Sequence, residues 1–214
     1  AYSAILSLNL PIITVPATVP LAGTINISWE YDVPETTFDV DRRVNGGSWV
    51  NVVTGTSNNT FSESVNSGWT VGSSIEYRVR ARLHDTYTDY AISSITRIVY
   101  ATPTLTAPVS VMATDPIEIT WTDINTGATY IVERKTGSSW IVLSTTVTTK
   151  SYTDTAQGSW ATAQYRVKAG GTYASDYSNI GSVEIRPFIP TVPTVTMSAV
   201  PELKVGNSYS AFWD

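Results

Sequence analysis

Apolar and polar residues alternate with a period of two through most of the chain. Thr24-Ile25-Asn26-Ile27-Ser28-Trp29 puts Ile25, Ile27 and Trp29 on one side, and Ile75-Glu76-Tyr77-Arg78-Val79-Arg80-Ala81 does the same with Ile75, Tyr77, Val79 and Ala81. A strand with one buried and one wet face produces this pattern. Phe38 to Arg42, Ser48 to Val52 and Thr60 to Val65 read as further strands, and Tyr90 to Val99 as a last one after a loop from Arg82 to Asp89. Asn45-Gly46-Gly47 supplies the residues that a tight hairpin needs at positive φ. No segment sustains a 3.6-residue apolar period, so helices are not expected.

The same grammar then returns. Trp29 and Trp121 are 92 positions apart, Trp49 and Trp140 are 91, Trp69 and Trp160 are 91, and Trp121 and Trp213 are 92, so all 7 tryptophans share one register. Ile117 to Trp121, Tyr130 to Arg134, Thr136 to Trp140, Ser151 to Asp154 and Tyr165 to Ala169 match the first set of strands in order. A period of this length marks repeated units. The copies differ in one place: 8 positions separate Trp69 from Tyr77, against 5 between Trp160 and Tyr165. The reading is a lead-in at 1–11, one unit at 12–101, a second at 102–187, and at 188–214 a linker with the first strands of a third. That third copy implies either a longer array or a tail that completes a neighbour's sheet. Prolines at Thr102 to Pro108 and Pro187 to Pro193 predict extended, stiff joints and therefore a rod.

Composition narrows the function classes. Only 14% of the 214 residues are charged, against roughly 25% in ordinary soluble proteins, which leaves the surface to Ser, Thr, Asn and Gly. A net charge of −5 without a basic stripe argues against nucleic acid, and no apolar run is long enough to span a bilayer. The chain has no cysteine, which excludes disulfides, thiol catalysis and cysteine-type zinc sites. The single histidine, His84, precedes Asp85, but no second histidine and no Gly-x-Ser-x-Gly elbow accompany them. No enzyme activity, cofactor or metal is expected. Asp39 and Asp41 share a strand face and read as a solvated surface beside Arg42 and Arg43.

The tryptophan of the second strand, the aromatic-x-Val-x-Arg third strand, the Trp after a Gly-rich hairpin and Tyr-Arg-Val-x-Ala in the sixth strand together resemble fibronectin type III repeats. Tyr130 to Arg134, Gly137 to Trp140, Ser151 to Thr155 and Gly158 to Ala169 are most similar to a bacterial and bacteriophage subtype. The resemblance implies an all-β chain of tandem seven-stranded immunoglobulin-like sandwiches. Trp29, Tyr77 and Val79 are then the expected core of the first unit, and Trp121, Tyr165 and Val167 that of the second. Each tyrosine hydroxyl is expected to bond backbone at a corner.

The resemblance also implies a non-enzymatic spacer, decoration or tail/fibre component on a virion or bacterial surface, with neighbouring repeats or subunits as protein partners. One alternative is a receptor- or glycan-binding adhesion module using His84, Asp85 and Tyr87, in a loop where relatives place contacts. Another is an accessory part of a larger secreted hydrolase. Tyr87, Tyr90, Tyr173 and Tyr177 could stack on sugar, or pack as core and corner residues.

Overall fold

The computed structural model describes residues 9–188, which contain strands and turns but no helix. The expectations for the third copy fall on residues outside that range. In the first unit, β1 (Ile12–Thr14), β2 (Thr18–Pro20), β3 (Thr24–Glu30), β4 (Thr37–Val44), β5 (Val50–Thr56) and β6 (Thr60–Ser64) lead to the long β7 (Ser74–Leu83). Two short strands, β8 (Thr86–Tyr87) and β9 (Ala91–Ile92), precede β10 (Thr96–Val99). The second unit comprises β11 (Thr104–Thr106), β12 (Ser110–Met112), β13 (Pro116–Thr122), β14 (Tyr130–Lys135), β15 (Ile141–Val147), β16 (Ser151–Thr155), β17 (Thr162–Ala169) and β18 (Gly181–Arg186).

Each unit is a sandwich of two sheets. A three-stranded sheet, β1-β3-β6 or β11-β13-β16, faces a larger one, β2-β10-β7-β4-β5 or β12-β18-β17-β14-β15. All pairings are antiparallel except β2 with β10 and β12 with β18. Alternation decides what fills the space between sheets, because successive side chains point to opposite faces. From the small sheet come Ile25, Ile27 and Trp29, and from the large sheet Val40, Ile75, Tyr77 and Val79, all buried. Ile117, Ile119, Trp121, Val132, Tyr165 and Val167 repeat this in the second unit. Trp29 meets Phe38 edge-on with ring centroids 5.5 Å apart, and Trp121 meets Tyr130 in the same way at 5.2 Å.

Three expectations are corrected. First, the tyrosine hydroxyls do not bond backbone at a corner. Tyr77 Oη donates to the Glu63 carboxylate, which also receives Arg42, and Tyr165 Oη donates to Asp154 Oδ2 at 2.9 Å, which receives Arg134 Nη1 at 2.7 Å. An arginine on the same strand face as the core and a carboxylate on the opposite sheet close the sandwich's rim, and an indole caps each arginine: Trp69 over Arg42 and Trp160 over Arg134.

Second, Tyr90 to Val99 is not one strand. Side-chain hydroxyls take the place of strand partners along β7, with Ala81 N donating to Thr88 Oγ1 and Tyr77 N to Ser93 Oγ, each at 3.0 Å. In the second unit Ala169 N donates to Ser175 Oγ and Val167 N to Ser178 Oγ, so β18 starts only at Gly181. The loop expected from Arg82 to Asp89 contains a paired hairpin of β7 and β8, with Arg82 opposite Tyr87 and Leu83 opposite Thr86.

Third, the Thr102 to Pro108 joint contains a strand of the second unit. Thr104–Thr106 pairs with β13 as the first strand of the second unit. Asn179 holds Leu105 by both amide groups, accepting from Leu105 N at 2.8 Å and donating to Leu105 O at 2.9 Å.

Candidate functional site

The predicted contact residues lie together at the end of the large sheet of the first unit. His84 and Asp85 form the tip of the β7–β8 hairpin, and His84 sits at φ 54°, a left-handed conformation that a tight turn demands. Arg82 Nε donates to His84 O at 2.9 Å, and its guanidinium lies 3.6 Å from the fully exposed carboxylate of Asp85. Tyr87 is on β8, not in the loop, with Arg80 stacked on its ring at 4.2 Å. Among the described residues no group of three or more His, Cys, Asp or Glu is placed to hold a metal ion.

Tyr87 is one rung of a longer structure on the outer face of the same sheet. Arg43 and Arg78 lie over Trp49 at 4.6 and 4.7 Å, Arg78 also over Tyr90 at 3.9 Å, and Arg80 over both Tyr90 and Tyr87. Guanidinium planes stack on aromatic faces while their edges remain free to bond carboxylates. Arg78 Nε accordingly donates to Asp41 Oδ2 at 2.8 Å, Arg80 to Asp39 Oδ2 at 2.8 and 2.9 Å, and Arg43 to both oxygens of Glu76.

The aspartates are consequently 5% and 6% exposed, which corrects the expected solvated face. Burial raises the pKa of Asp41, but hydrogen bonds from Asn51 and Arg78 outweigh it and hold the carboxyl below its ordinary value. Glu76 is lowered chiefly by its hydrogen bonds from Arg43.

The second unit has a shorter ladder. Arg166 lies over Trp140 at 4.2 Å and over Tyr177 at 3.8 Å, and Lys168 over Tyr177 at 4.6 Å. Arg166 and Tyr177 Oη both donate to Glu133. Opposite Lys168 in the strand register stands Ile131, where the first unit has Asp39 opposite Arg80. Tyr87, Tyr90 and Tyr177 are thus covered by cations of their own sheet.

A different place gathers groups from both units. The three residues by which the first unit exceeds the second are Thr70, Val71 and Gly72. The ladder fixes this, because Ile98 N donates to Ser73 O as Ile185 N does to Ala161 O, directly after the gap. The last of these three residues touches the second unit. Gly72 has φ +91°, and a Cβ there would lie 2.7 Å from the Tyr173 ring. Only glycine satisfies both the backbone and the contact.

The chain between the units is also bonded to the second: Tyr100 N donates to Tyr173 O at 3.0 Å, and Asn125 accepts from Ala101 N at 2.8 Å and donates to Ala101 O at 2.9 Å. Beside this joint opens a cleft of about 520 Å³, lined by Trp69, Tyr100, Ile124 and Thr126 together with Leu21, Ala22 and the segment from Val65 to Val71 except Gly68. Sequence reasoning located the extra residues before Tyr77 but gave no sign of what they touch, since Tyr173 and Asn125 belong to loops of the other unit.

No family model matches this chain, and no curated protein does. Among solved structures it is similar to the chicken interferon gamma receptor alpha chain, with a TM-score of 0.55 at 13% identity over 82% of this chain and 98% of that one. A two-domain fibronectin type III segment of chicken tenascin gives a TM-score of 0.54 at 13% identity over 81% and 98%. At such identities the likeness concerns the fold, and it makes this chain an all-β tandem of fibronectin type III-like sandwiches.

Proposed function

We propose that the chain is a non-enzymatic structural or assembly element, a spacer, decoration or tail/fibre component, of a bacteriophage virion or a bacterial surface protein. The observation that carries this reading is the joint. Two sandwiches linked only by a flexible tether would swivel, whereas here backbone and side-chain hydrogen bonds tie Tyr100 and Ala101 to the second unit and Gly72 seats on Tyr173. A fixed angle between successive units lets an array transmit position over a distance, which is what a spacer requires. The Ser- and Thr-rich, sparsely charged surface and the similarity of the second unit to the bacterial and phage subtype support the location. Its partners are then neighbouring repeats or subunits.

Small-angle scattering tests the joint. The native chain should fit one fixed arrangement of the two sandwiches, and a variant lacking Thr70 to Gly72 should require a spread of arrangements with both units still folded. Scattering from the native chain that already requires free swivelling would refute the spacer. Antibody labelling of intact particles and cells tests the location, and protein found on neither would refute it.

A further inference from the structure

We propose that the cleft beside the joint is a binding site for a neutral, polyhydroxylated ligand, a hexose unit of a surface glycan. This goes beyond the spacer reading, and its failure would leave the scattering result untouched. The cleft has the volume of small-ligand sites, roughly 300–1,000 Å³, and it is formed in advance, because the clamped joint holds its two walls. Its lining contains no Asp, Glu, Lys, Arg or His. A charged ligand would find no partner there.

The lining that does exist has two kinds of group. Tyr100 offers aromatic surface beside Trp69, whose ring already stacks with Arg42, and Ile124, 57% exposed, continues the apolar lining on the second unit. Beside them stand the hydroxyls of Thr70 and Thr126 and the amide of Asn66, whose Oδ1 accepts from Gly68 N at 2.9 Å. The Asn66 NH₂ donors and the two threonine hydroxyls are not used by any hydrogen bond among the described residues.

A sugar ring matches this pairing, because its C–H face packs on aromatic and aliphatic carbon while the hydroxyls around its rim exchange hydrogen bonds with amides and hydroxyls. A wholly apolar ligand would leave those polar groups unpaired when it displaced their water, at a cost in affinity. Tyr87, Tyr90 and Tyr177 are poorer platforms, since cations already cover them as Arg42 covers Trp69, whereas among the described residues no cation lies over Tyr100. The second unit has no counterpart to Thr70 or Val71, so the site belongs to the longer connection of the first unit.

Titration of the whole chain by heteronuclear NMR decides the matter, with methyl glucoside, methyl galactoside and N-acetylglucosamine as probes and glucuronate and indole as controls. At least one neutral sugar should give saturable shifts confined to Asn66 to Val71, Tyr100 and Thr126. Thr126→Trp, at an exposed position whose larger side chain fills the cleft, should weaken binding by about tenfold or more, and His84→Ala should not change it. No saturable shift with any of the three sugars, tighter binding of indole or glucuronate, shifts centred on His84 to Tyr87, or undiminished binding by the Thr126→Trp variant would each overturn the proposal.

Discussion

The two units use the same sandwich for different ends, and the contrast lies mainly on the surface and in one connection, while the cores agree except where Tyr130 replaces Phe38. On the outer sheet face the first unit buries two aspartates under a run of arginines and rings, where the second has one glutamate and an isoleucine. Between the indole that caps the rim arginine and the buried tyrosine, the first unit inserts Thr70, Val71 and Gly72, of which Gly72 seats on Tyr173 of the second and the other two line the cleft beside it. The core tolerates neither change, because every position there is fixed by its facing neighbour. Connections and outer faces can diverge, and there the first unit acquires its contacts.

The sharpest test of the shared core is to remove its largest ring. Trp29→Ala and Trp121→Ala should each cost about 3–5 kcal/mol, since the indoles are 1% and 2% exposed and no neighbour can fill the space. Urea unfolding followed at the Ile27 and Ile119 NMR signals reads each unit separately, and each substitution should act mainly on its own unit.

A smaller effect should break the symmetry of the outer faces. Arg80→Ala removes both hydrogen bonds to Oδ2 of the buried Asp39 carboxylate and leaves only the Gly55 N–H on Oδ1. Because Arg80 is about one-third exposed, the loss should be about 1–3 kcal/mol. Lys168→Ala at the matching position faces Ile131 and should cost within about 0.5 kcal/mol. Converting the first unit to the second unit's pair, Asp39→Ile with Arg80→Lys, should recover most of the Arg80→Ala loss, as measured by urea denaturation.

At the joint, Gly72→Ala should cost about 1–2 kcal/mol in the first unit, from its positive φ and the 2.7 Å approach to Tyr173. Its clearer signature is geometric: scattering should show the fixed arrangement loosened.

Much of this fold is legible in the alternation. Thr24 to Trp29 and Ile75 to Ala81 each have one face that must be buried, and their facing partners follow from the repeat. Alternation distinguishes the two faces of a strand, but it does not say that the outer face is wet. Asp39 and Asp41 point away from the core as expected, yet Trp49, just before β5, and Tyr90, just before β9, bring a second covering layer with the arginines of β7.

The tyrosine partners were open to inference. Phe61-x-Glu63 and Tyr152-x-Asp154 place a carboxylate two residues after an aromatic in both copies, on the edge of the sheet that the tyrosine faces. The strand expected from Tyr90 to Val99 fails because Thr88 and Ser93 carry hydroxyls able to imitate a backbone acceptor, which composition does not distinguish from solvent-facing polarity. The joint was least legible, since it depends on loops brought together only after both units have folded.

The smallest expected effect is on pH dependence, and it sharpens the comparison through one substitution that the copies already contain: Tyr130 stands where the first unit has Phe38. Burial, then the hydrogen bond to Asp123, raises the Tyr130 phenol above its ordinary value, and burial with the neighbouring Asp154 raises Tyr165 likewise. In the first unit Tyr77 is raised by burial and Glu63. A phenol whose pKa is raised on folding contributes stability that is complete below the unfolded value of about 10 and is lost as pH rises above it.

The carboxyls act in the opposite sense. Asp41 and Glu76 in the first unit, and Asp123 and Glu133 in the second, are lowered by their hydrogen bonds, so their contribution is complete above roughly pH 5 and declines as pH falls through about 4 and below. The acid limbs of the two units should therefore resemble each other, with two such carboxyls in each. The alkaline limb should be steeper for the second unit, which buries the additional phenol in its core. Tyr130→Phe copies the first unit's residue, removes that titration, and should bring the alkaline limbs together while costing about 1 kcal/mol near neutrality for the lost hydrogen bond to Asp123. Urea midpoints of the Ile27 and Ile119 signals, taken on both sides of pH 10, measure this directly, and equal alkaline limbs in the native chain would show that Tyr130 does not distinguish the units.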